Sequence, residues 1–307
     1  MGPTAFVSNP RDTKQAEVMP MAPLPSLSQA INAALLTRQP RAKVMAARKV
    51  ARDWRLGRLA FRFDTPMADA PGRPDAPELL APNRMPRRGK AGSVRGRLAL
   101  WHAVAHIEFV AIDLALDMAG RFGAQLGEAF VADFLQIAAE EAMHFALIER
   151  HLRGMGGHYG CLPAHSGLWD AAYETRHDVA ARLAIVPMVL EARGLDVTPA
   201  MLERVAASGD ETGAKILQRI LDDEVRHVAA GVKHFVARAE ASGQPADSLW
   251  KSLVQRHFKS GLKKPFNDSA RGSAGLPRDW YTGLVPLTSS GNTDPREAAG
   301  GIRPSPR

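Results

Sequence analysis

Hydrophobic residues recur every three or four positions through most of the chain, which is the pattern of amphipathic helices. No stretch shows a competing strand-like alternation. Four long helices are predicted, over about residues 93–123, 127–153, 168–193 and 211–240. Shorter helices are predicted at about residues 26–37, 41–54, 198–208 and 245–260. The pattern therefore predicts an all-α protein.

Capping residues and prolines set several of these limits. Ser93 and Asp210 are expected to cap the first and fourth long helices, because serine and aspartate side chains accept hydrogen bonds from free backbone N–H groups. Thr198-Pro199 is expected to begin a separate short helix. Pro187 lies inside the third long helix and is expected to kink it, since proline removes a backbone hydrogen bond.

Each long helix carries one glutamate on its apolar face. These four residues are Glu108, Glu141, Glu191 and Glu224. An unpaired buried carboxylate costs roughly several kcal/mol, so four of them need protons, cationic partners or metal ions. Arg193 and Arg226 are close enough in sequence to act as the cationic partners if no metal binds.

Two of these glutamates are followed by a histidine at a spacing that suits metal binding. Glu141 and His144, like Glu224 and His227, are three residues apart, so each pair shares one helix face. A lone glutamate precedes each pair by 33 residues. Four carboxylates and two imidazoles form the ligand set of dinuclear iron and manganese sites in helix bundles.

The predicted site holds two iron ions, with manganese as the alternative, because carboxylate and imidazole ligands without thiolate suit these metals. The expected ligands are Glu108, Glu141 and His144 mainly for one ion, and Glu191, Glu224 and His227 mainly for the other. Glu141 and Glu224 are the favoured bridges between the ions.

An acid also precedes each of these histidines by four residues: Glu140 before His144, and Asp223 before His227. A metal-bound histidine usually donates its other N–H to a carboxylate or carbonyl, which fixes the ring. We therefore predict that Glu140 and Asp223 orient the histidines, each acting on its own helix.

Two further histidines, His102 and His106, have a spacing that also resembles a ligand pair. Two residues along a helix are a turn of about 200°, so the face of His106 points away from Glu108. We interpret both as packing or inter-helix hydrogen-bonding groups.

Several segments resemble known families. Asp223-Glu224-Val225-Arg226-His227 is similar to a segment of bacterial di-iron monooxygenase subunits, and the order of the six residues is that of the ferritin-like superfamily. A closer resemblance, over about residues 30–282, is to a bacterial ferritin-like family of unknown function. The segments that carry it are Ala105–Glu108, Val189–Pro199, Pro71–Pro74 and Pro86–Gly89. The resemblance implies a ferritin-like four-helix bundle, with a dinuclear site between the helices, and all six ligands.

Composition favours a cytoplasmic enzyme. The 307 residues include one cysteine, which excludes an internal disulfide framework. No uninterrupted apolar run approaches the roughly 20 residues of a membrane span, so no membrane association is expected. The first residues lack the basic and then apolar form of a secretion signal.

Charge is divided unevenly along the chain. Residues 36–100 hold sixteen Lys or Arg against five Asp or Glu, whereas residues 98–242 hold twelve against twenty. The basic part either packs on the acidic part or meets an anionic partner such as RNA, a phosphorylated substrate or lipid headgroups.

These observations divide the chain into five parts. They are a flexible N-terminus (1–26), a basic helical and extended arm (27–92), the four-helix bundle (93–242), a C-terminal helix with its extension (243–284) and a flexible tail (285–307).

The function expected is that of an oxidoreductase using dioxygen or peroxide, such as a hydroxylase or monooxygenase with an external electron donor. Its substrate is a small molecule or tRNA, the latter by analogy of fold alone, and a homo-oligomer is possible. Two alternatives stay open: a ferroxidase or iron-handling protein, and a metal-free nucleic-acid-binding module whose acids pair with arginine.

Overall fold

A computed structural model describes residues 2, 23–81, 84–86 and 93–285. Within these residues the regular structure is entirely helical, apart from two isolated β-bridges, Ser26 with Ala60 and Leu79 with Ala164. The prediction of an all-α protein is confirmed. The predicted flexible N-terminus and tail lie outside the described residues except for residues 2, 23–26 and 285, and so do residues 82–83 and 87–92 of the basic arm.

Four helices precede the middle of the chain: α1 (Leu27–Leu35), α2 (Pro40–Arg55), α3 (Val94–Leu126) and α4 (Glu128–Gly154). They are followed by α5 (Gly167–Glu174), α6 (Val179–Ile185), a π-helix (Val186–Glu191), α7 (Ala192–Ala207) and α8 (Glu211–Ala241). The described chain ends with α9 (Ala246–His257), α10 (Asp268–Ser273), α11 (Arg278–Tyr281) and a 3₁₀ turn (Thr282–Leu284). The predicted caps of α3 and α8 are confirmed, because Ser93 accepts from the Gly96 N–H (3.0 Å) and Asp210 from the Gly213 N–H (2.8 Å).

Helix α3 is the apolar centre of the fold and packs along α4. By length and hydropathy α3 is capable of crossing a membrane, although it contains no uninterrupted apolar run of that length. Its most apolar part is, however, largely buried inside this fold, as expected of a core helix.

A buried ion pair joins the N-terminal helices to this core. Lys43 of α2 and Asp113 of α3 are both fully buried and form a short hydrogen bond. The same ammonium donates to the carbonyl oxygens of Leu35 (3.0 Å) and Gly72 (2.9 Å). Because an unpaired buried charge is costly, this contact fixes α2 and the segment around Gly72 on α3.

The third predicted helix, 168–193, is interrupted in the structure, so its prediction as one continuous helix was wrong. Asp178 caps a new helix by accepting from the Ala180 N–H (2.9 Å). The buried Arg182 donates to the Ala172 carbonyl at the end of α5 (2.5 Å) and pairs with Asp117 of α3. These contacts satisfy backbone N–H and carbonyl groups that are free at the two helix ends. They therefore stabilise the break at residues 175–178.

The segment around Pro187 becomes a π-helix. Proline has no backbone N–H, so the regular helical hydrogen bond from residue 187 to the carbonyl four residues earlier is absent. The Ala192 N–H instead reaches the carbonyl of Pro187, five residues earlier. Single π turns are frequent at functional sites, and this one ends at Glu191.

The prediction of a separate helix starting at Thr198-Pro199 was also wrong. Both residues lie inside α7, which continues to Ala207. Pro199 leaves the Leu195 carbonyl without its helical donor, and the Asn267 side-chain amide donates to that carbonyl instead (3.1 Å). The long-range hydrogen bond lets the helix pass through a proline.

The π-helix packs closely on α8 at Gly231. A Cβ added at this position would overlap the ring of Pro187. We expect Gly231→Ala to destabilise the metal-free protein by about 1–3 kcal/mol, because the overpacking outweighs the gain in helix propensity. Urea denaturation measures the change in the free energy of unfolding.

Gly194→Ala is the matched control, since Gly194 lies inside α7 and an added Cβ there would have no atom within 4 Å. It should be neutral or stabilising by up to about 1 kcal/mol. Equal effects of the two substitutions would contradict the close packing of Pro187 on α8.

Candidate metal centre

Four of the predicted ligands converge in the core. Glu108 comes from α3, Glu141 and His144 from α4, and Glu224 from α8, and one ligand atom from each lies within 4.8 Å of the others. All four side chains are buried. The helical spacing identified in the sequence therefore produces one compact group of ligand atoms in three dimensions.

His227 joins this group through Glu141. Its Nδ1 lies 2.9 Å from one oxygen of Glu141 and 3.8 Å from Glu224. The second oxygen of Glu141 lies 3.3 Å from Nδ1 of His144. Glu141 thus lies between the two imidazoles, whose ring centroids are 5.9 Å apart.

Glu191, at the end of the π-helix, is less closely associated with the group. It is only partly buried, although its Oε2 atom is shielded from solvent and has no hydrogen-bond partner. Burial and the nearby carboxylates of Glu224 and Glu141 raise the pKa of Glu191 to about 8. This repulsion indicates that Glu191 faces the same cluster.

Glu140 and Asp223, which we call the outer acids, each contact the histidine of the other helix. The prediction that each acid contacts the histidine of its own helix was therefore wrong. His144 Nε2 on α4 donates to Asp223 on α8 (3.0 Å). His227 Nε2 on α8 donates to Glu140 on α4 (2.8 Å). Helices α4 and α8 pack against each other, and the acid four residues before each histidine faces the other helix. Glu140 and Asp223 nevertheless each accept a hydrogen bond from a histidine of the cluster, and their role in orienting metal ligands stays a prediction.

These hydrogen bonds leave both Nδ1 atoms directed at the carboxylates. An ionised carboxylate only accepts hydrogen bonds, so Nε2 carries a proton in each ring. Nδ1 of His144 lies 3.2 Å from Glu108, and Nδ1 of His227 faces Glu141. Nδ1 is therefore the nitrogen available to a metal ion, held by a fixed outer acid as in known metal sites.

The buried carboxylates of the cluster would repel one another if all of them were ionised and no cation were bound. Burial and the neighbouring Glu141 raise the pKa of Glu108 well above its usual range, and burial raises that of Glu224. Burial would lower the pKa of His144, but hydrogen bonds to Glu108 and Glu141 outweigh it and raise the pKa to about 11. Protons or cations are thus strongly held between these groups.

Two buried carboxylate oxygens of the cluster, Glu191 Oε2 and Glu224 Oε2, have no hydrogen-bond partner. Glu141 Oε1 and His227 Nδ1 lie 2.9 Å apart but not in a good hydrogen-bond geometry. Buried polar atoms are normally satisfied, and each exception needs a physical explanation. Carboxylate oxygens and imidazole nitrogens that converge in this way form a ligand set for hard or borderline divalent cations, so the residues present fit such ions.

Arginine does not neutralise the four glutamates within the described part of the chain. Arg226 binds Glu140 (3.2 Å) and Asp223, which are the outer acids. Arg193 binds Asp196 and the carbonyl oxygens of Lys263 and Pro265. The structure therefore does not show the ion pairing on which the metal-free alternative depended.

The sequence pattern did not reveal Arg219, whose guanidinium donates to Asp223 (2.6 Å). Arg219 precedes Asp223 by four residues, and this spacing could have indicated an ion pair on one face of the helix. His106 is buried and hydrogen-bonded, but its partners lie in the connection between α4 and α5 rather than on another helix: the Tyr159 hydroxyl (2.9 Å) and the His165 carbonyl (3.0 Å). His102 accepts from the Gly160 N–H (3.0 Å).

Fold and site together define an all-α protein with a buried glutamate and histidine cluster. The chain belongs to the family described as "Protein of unknown function (DUF455)", which matches residues 36–282. An uncharacterized protein of Haemophilus influenzae is 43% identical over 216 residues, which cover 67% of this chain and 75% of that relative. No solved structure matches the chain. The family description gives no function, and the ferritin-like relationship stays a prediction.

The crossed outer acids predict which residue pairs are energetically coupled. Glu140→Gln should weaken metal binding by about 10–100-fold, as loss of an outer hydrogen bond typically does. This loss should largely disappear in a His227→Ala background but persist with His144→Ala, because His227 is the one of these two histidines that Glu140 contacts. Metal affinities from chelator competition, arranged as double-mutant cycles, measure the coupling.

Asp223→Asn is the reciprocal variant and should couple to His144 rather than to His227. Coupling of each acid to the histidine of its own helix would contradict the observed geometry.

The raised pKa values predict that metal binding releases protons. At neutral pH, Glu191 with a pKa of about 8 and His144 with a pKa of about 11 hold protons, as do His227 and Glu108 with their raised pKa values. A metal ion must displace them, so binding at about pH 7 should release several protons and tighten as the pH rises. Calorimetry in buffers of different ionisation enthalpy counts the protons. An affinity that is independent of pH between about 6 and about 8 would contradict this charge state.

Proposed function

We propose that the protein is a ferritin-like oxidoreductase with a dinuclear iron centre, or a manganese centre, which uses dioxygen or peroxide. One observation carries the proposal: three carboxylates and two Nδ1 atoms meet in the core, with Glu191 facing them from the π-helix. Two of the carboxylate oxygens, Glu191 Oε2 and Glu224 Oε2, have no protein partner. Two divalent ions would balance the four carboxylates, whereas protons alone would leave like charges in contact.

Each side chain has a distinct role in this proposal. Glu108 and His144 would hold one ion, Glu191 and His227 would hold the other, and Glu141 and Glu224 would be shared between them. The position of Glu141 supports its bridging role, because each of its oxygens faces a different imidazole. Glu140 and Asp223 keep Nε2 protonated and Nδ1 free for the metal. When bound, redox-active ions supply two electrons to dioxygen or peroxide, and an external donor replaces them.

A cleft of about 930 Å³ between α2, α4 and the segment around Pro74 supports the approach of an organic substrate. Phe145 lines this cleft and lies four residues after Glu141, on the same face of α4. Its ring packs on Phe109 and Tyr159, with centroids 5.1 Å apart in each case. We propose that this aromatic layer forms the wall of the cleft on the side of the carboxylates.

Metal content tests the proposal. Protein from cells supplied with iron and manganese should contain about two ions of iron or manganese per chain, as in dinuclear bundle proteins. Glu141→Ala should lose most of both ions, since Glu141 contacts both histidines, while circular dichroism keeps its helical signal. Elemental mass spectrometry gives the count.

Glu203→Ala is the control, because Glu203 is an exposed acid on α7 outside the cluster, and it should keep both ions. Full metal retention in Glu141→Ala would refute the ligand assignment. Oxygen consumption then separates the functions: an oxidoreductase needs an organic reductant and substrate for turnover, whereas an iron-handling protein consumes oxygen with Fe(II) alone.

A further inference from the structure

A second cleft, of about 610 Å³, lies between α2, α4 and α8. This volume falls in the range of sites that bind small molecules. Its cationic lining consists of Arg48, Lys49, Arg52 and Arg55 from α2 and Arg219 from α8. Apolar side chains, among them Met45, Ala51 and Met143, form the rest of its wall. The cleft therefore combines clustered positive charge with an apolar surface.

The positive charge of this cleft is only partly balanced. Lys49 and Arg52 share the carboxylate of Asp53, at 2.5 and 3.8 Å. Arg48 and Arg55 have no acidic partner among the residues that the structure describes. Cations held together without anions repel one another, and a bound anion removes the repulsion.

The one acid in the wall, Glu140, does not offset this charge. Its carboxylate already accepts from His227 Nε2 (2.8 Å) and from Arg226 (3.2 Å). Arg219 is itself paired with Asp223 (2.6 Å). The guanidinium groups of Arg48 and Arg55 thus remain available to a ligand from solution, with Lys49 and Arg52 beside them. Guanidinium groups bind phosphate oxygens through two parallel N–H donors, which favours phosphoryl groups over other small anions.

The cleft differs from the proposed substrate cleft in its position relative to the metal centre. Two residues of the cleft wall are linked to the histidines of the cluster. Glu140 accepts from Nε2 of His227, and Arg219 donates to Asp223, which accepts from Nε2 of His144. The Nδ1 atoms and the glutamates lie on the other side of the rings. A molecule in this cleft would therefore lie on the Nε2 side of the histidines, away from the Nδ1 atoms and glutamates that are proposed to hold the ions.

We propose that this cleft is a binding site for a small phosphoryl-bearing molecule, whose phosphates meet the arginines of α2 and whose body packs on the methionine and alanine side chains. This site is independent of the proposed redox activity. It provides one defined use for the basic charge of the N-terminal arm.

Calorimetric titration of full-length protein with pyrophosphate and with ATP tests the proposal, in metal-free and metal-loaded protein alike. Binding is expected in both forms, and it should weaken as salt rises. The triple variant Arg48→Gln, Arg52→Gln, Arg55→Gln should bind at least about tenfold more weakly, because each lost phosphate contact removes a charge-assisted hydrogen bond.

The matched control is Arg204→Gln, Arg256→Gln, Arg278→Gln, which removes the same charge from exposed arginines outside the cleft. It should change the affinity by less than about twofold. Thermal unfolding verifies that both variants fold.

Three results would overturn the assignment. The first is the absence of binding by the wild-type protein, whether or not it contains metal. The second is equal weakening in the two triple variants, which would show only a general attraction of anions to a basic protein. The third is tight binding of an RNA oligonucleotide that pyrophosphate does not displace, which would identify a polymer rather than a small molecule as the ligand. None of these results bears on the metal content, so the two proposals fail independently.

Discussion

The burial of several carboxylates next to one another is the constraint on which the arrangement of the core depends. Glu108, Glu141 and Glu224 are each less than 9% exposed and contact one another or the same histidine. Such a group is tolerated only if cations or protons lie between its members, because like charges in a poorly solvated interior repel strongly. The histidines supply part of this compensation. The remaining unsatisfied atoms are the reason to infer metal ions.

Keeping these groups in place requires that the helices do not slide past one another. Three buried ion pairs at the periphery contribute to this: Lys43 with Asp113, Arg182 with Asp117, and Arg271 with Asp196. Each joins a segment outside the central helices to one of them. Breaking one such pair leaves an uncompensated buried charge at a cost of about 3–5 kcal/mol, so they specify position as well as add stability.

The crossed hydrogen bonds between α4 and α8 connect the core with the surface. Asp223 accepts from His144 on the inner side and from Arg219 on the outer side, and Glu140 links His227 to Arg226 in the same way. Each acid is thus held from two sides, which keeps the imidazole rings from rotating. Arg219, which stabilises Asp223, also borders the basic cleft, so the surface charge and the core geometry share residues.

The sequence by itself determined the helical class, the caps at Ser93 and Asp210 and the residues of the cluster. The helices, the caps and the two glutamate–histidine pairs follow from local periodicity, because a spacing of three residues places two side chains on one helix face whatever the surroundings. The apolar face on which each glutamate lies indicated that these residues would be buried together. Only the tertiary structure decided which histidine each outer acid serves, where the third helix breaks and why α7 passes through Pro199. Those outcomes depend on partners distant in sequence, such as Asp223 for His144 and Asn267 for the carbonyl of Leu195. The spacing of residues along one helix determines which of its own side chains are neighbours. It contains no information about how a second helix packs against it.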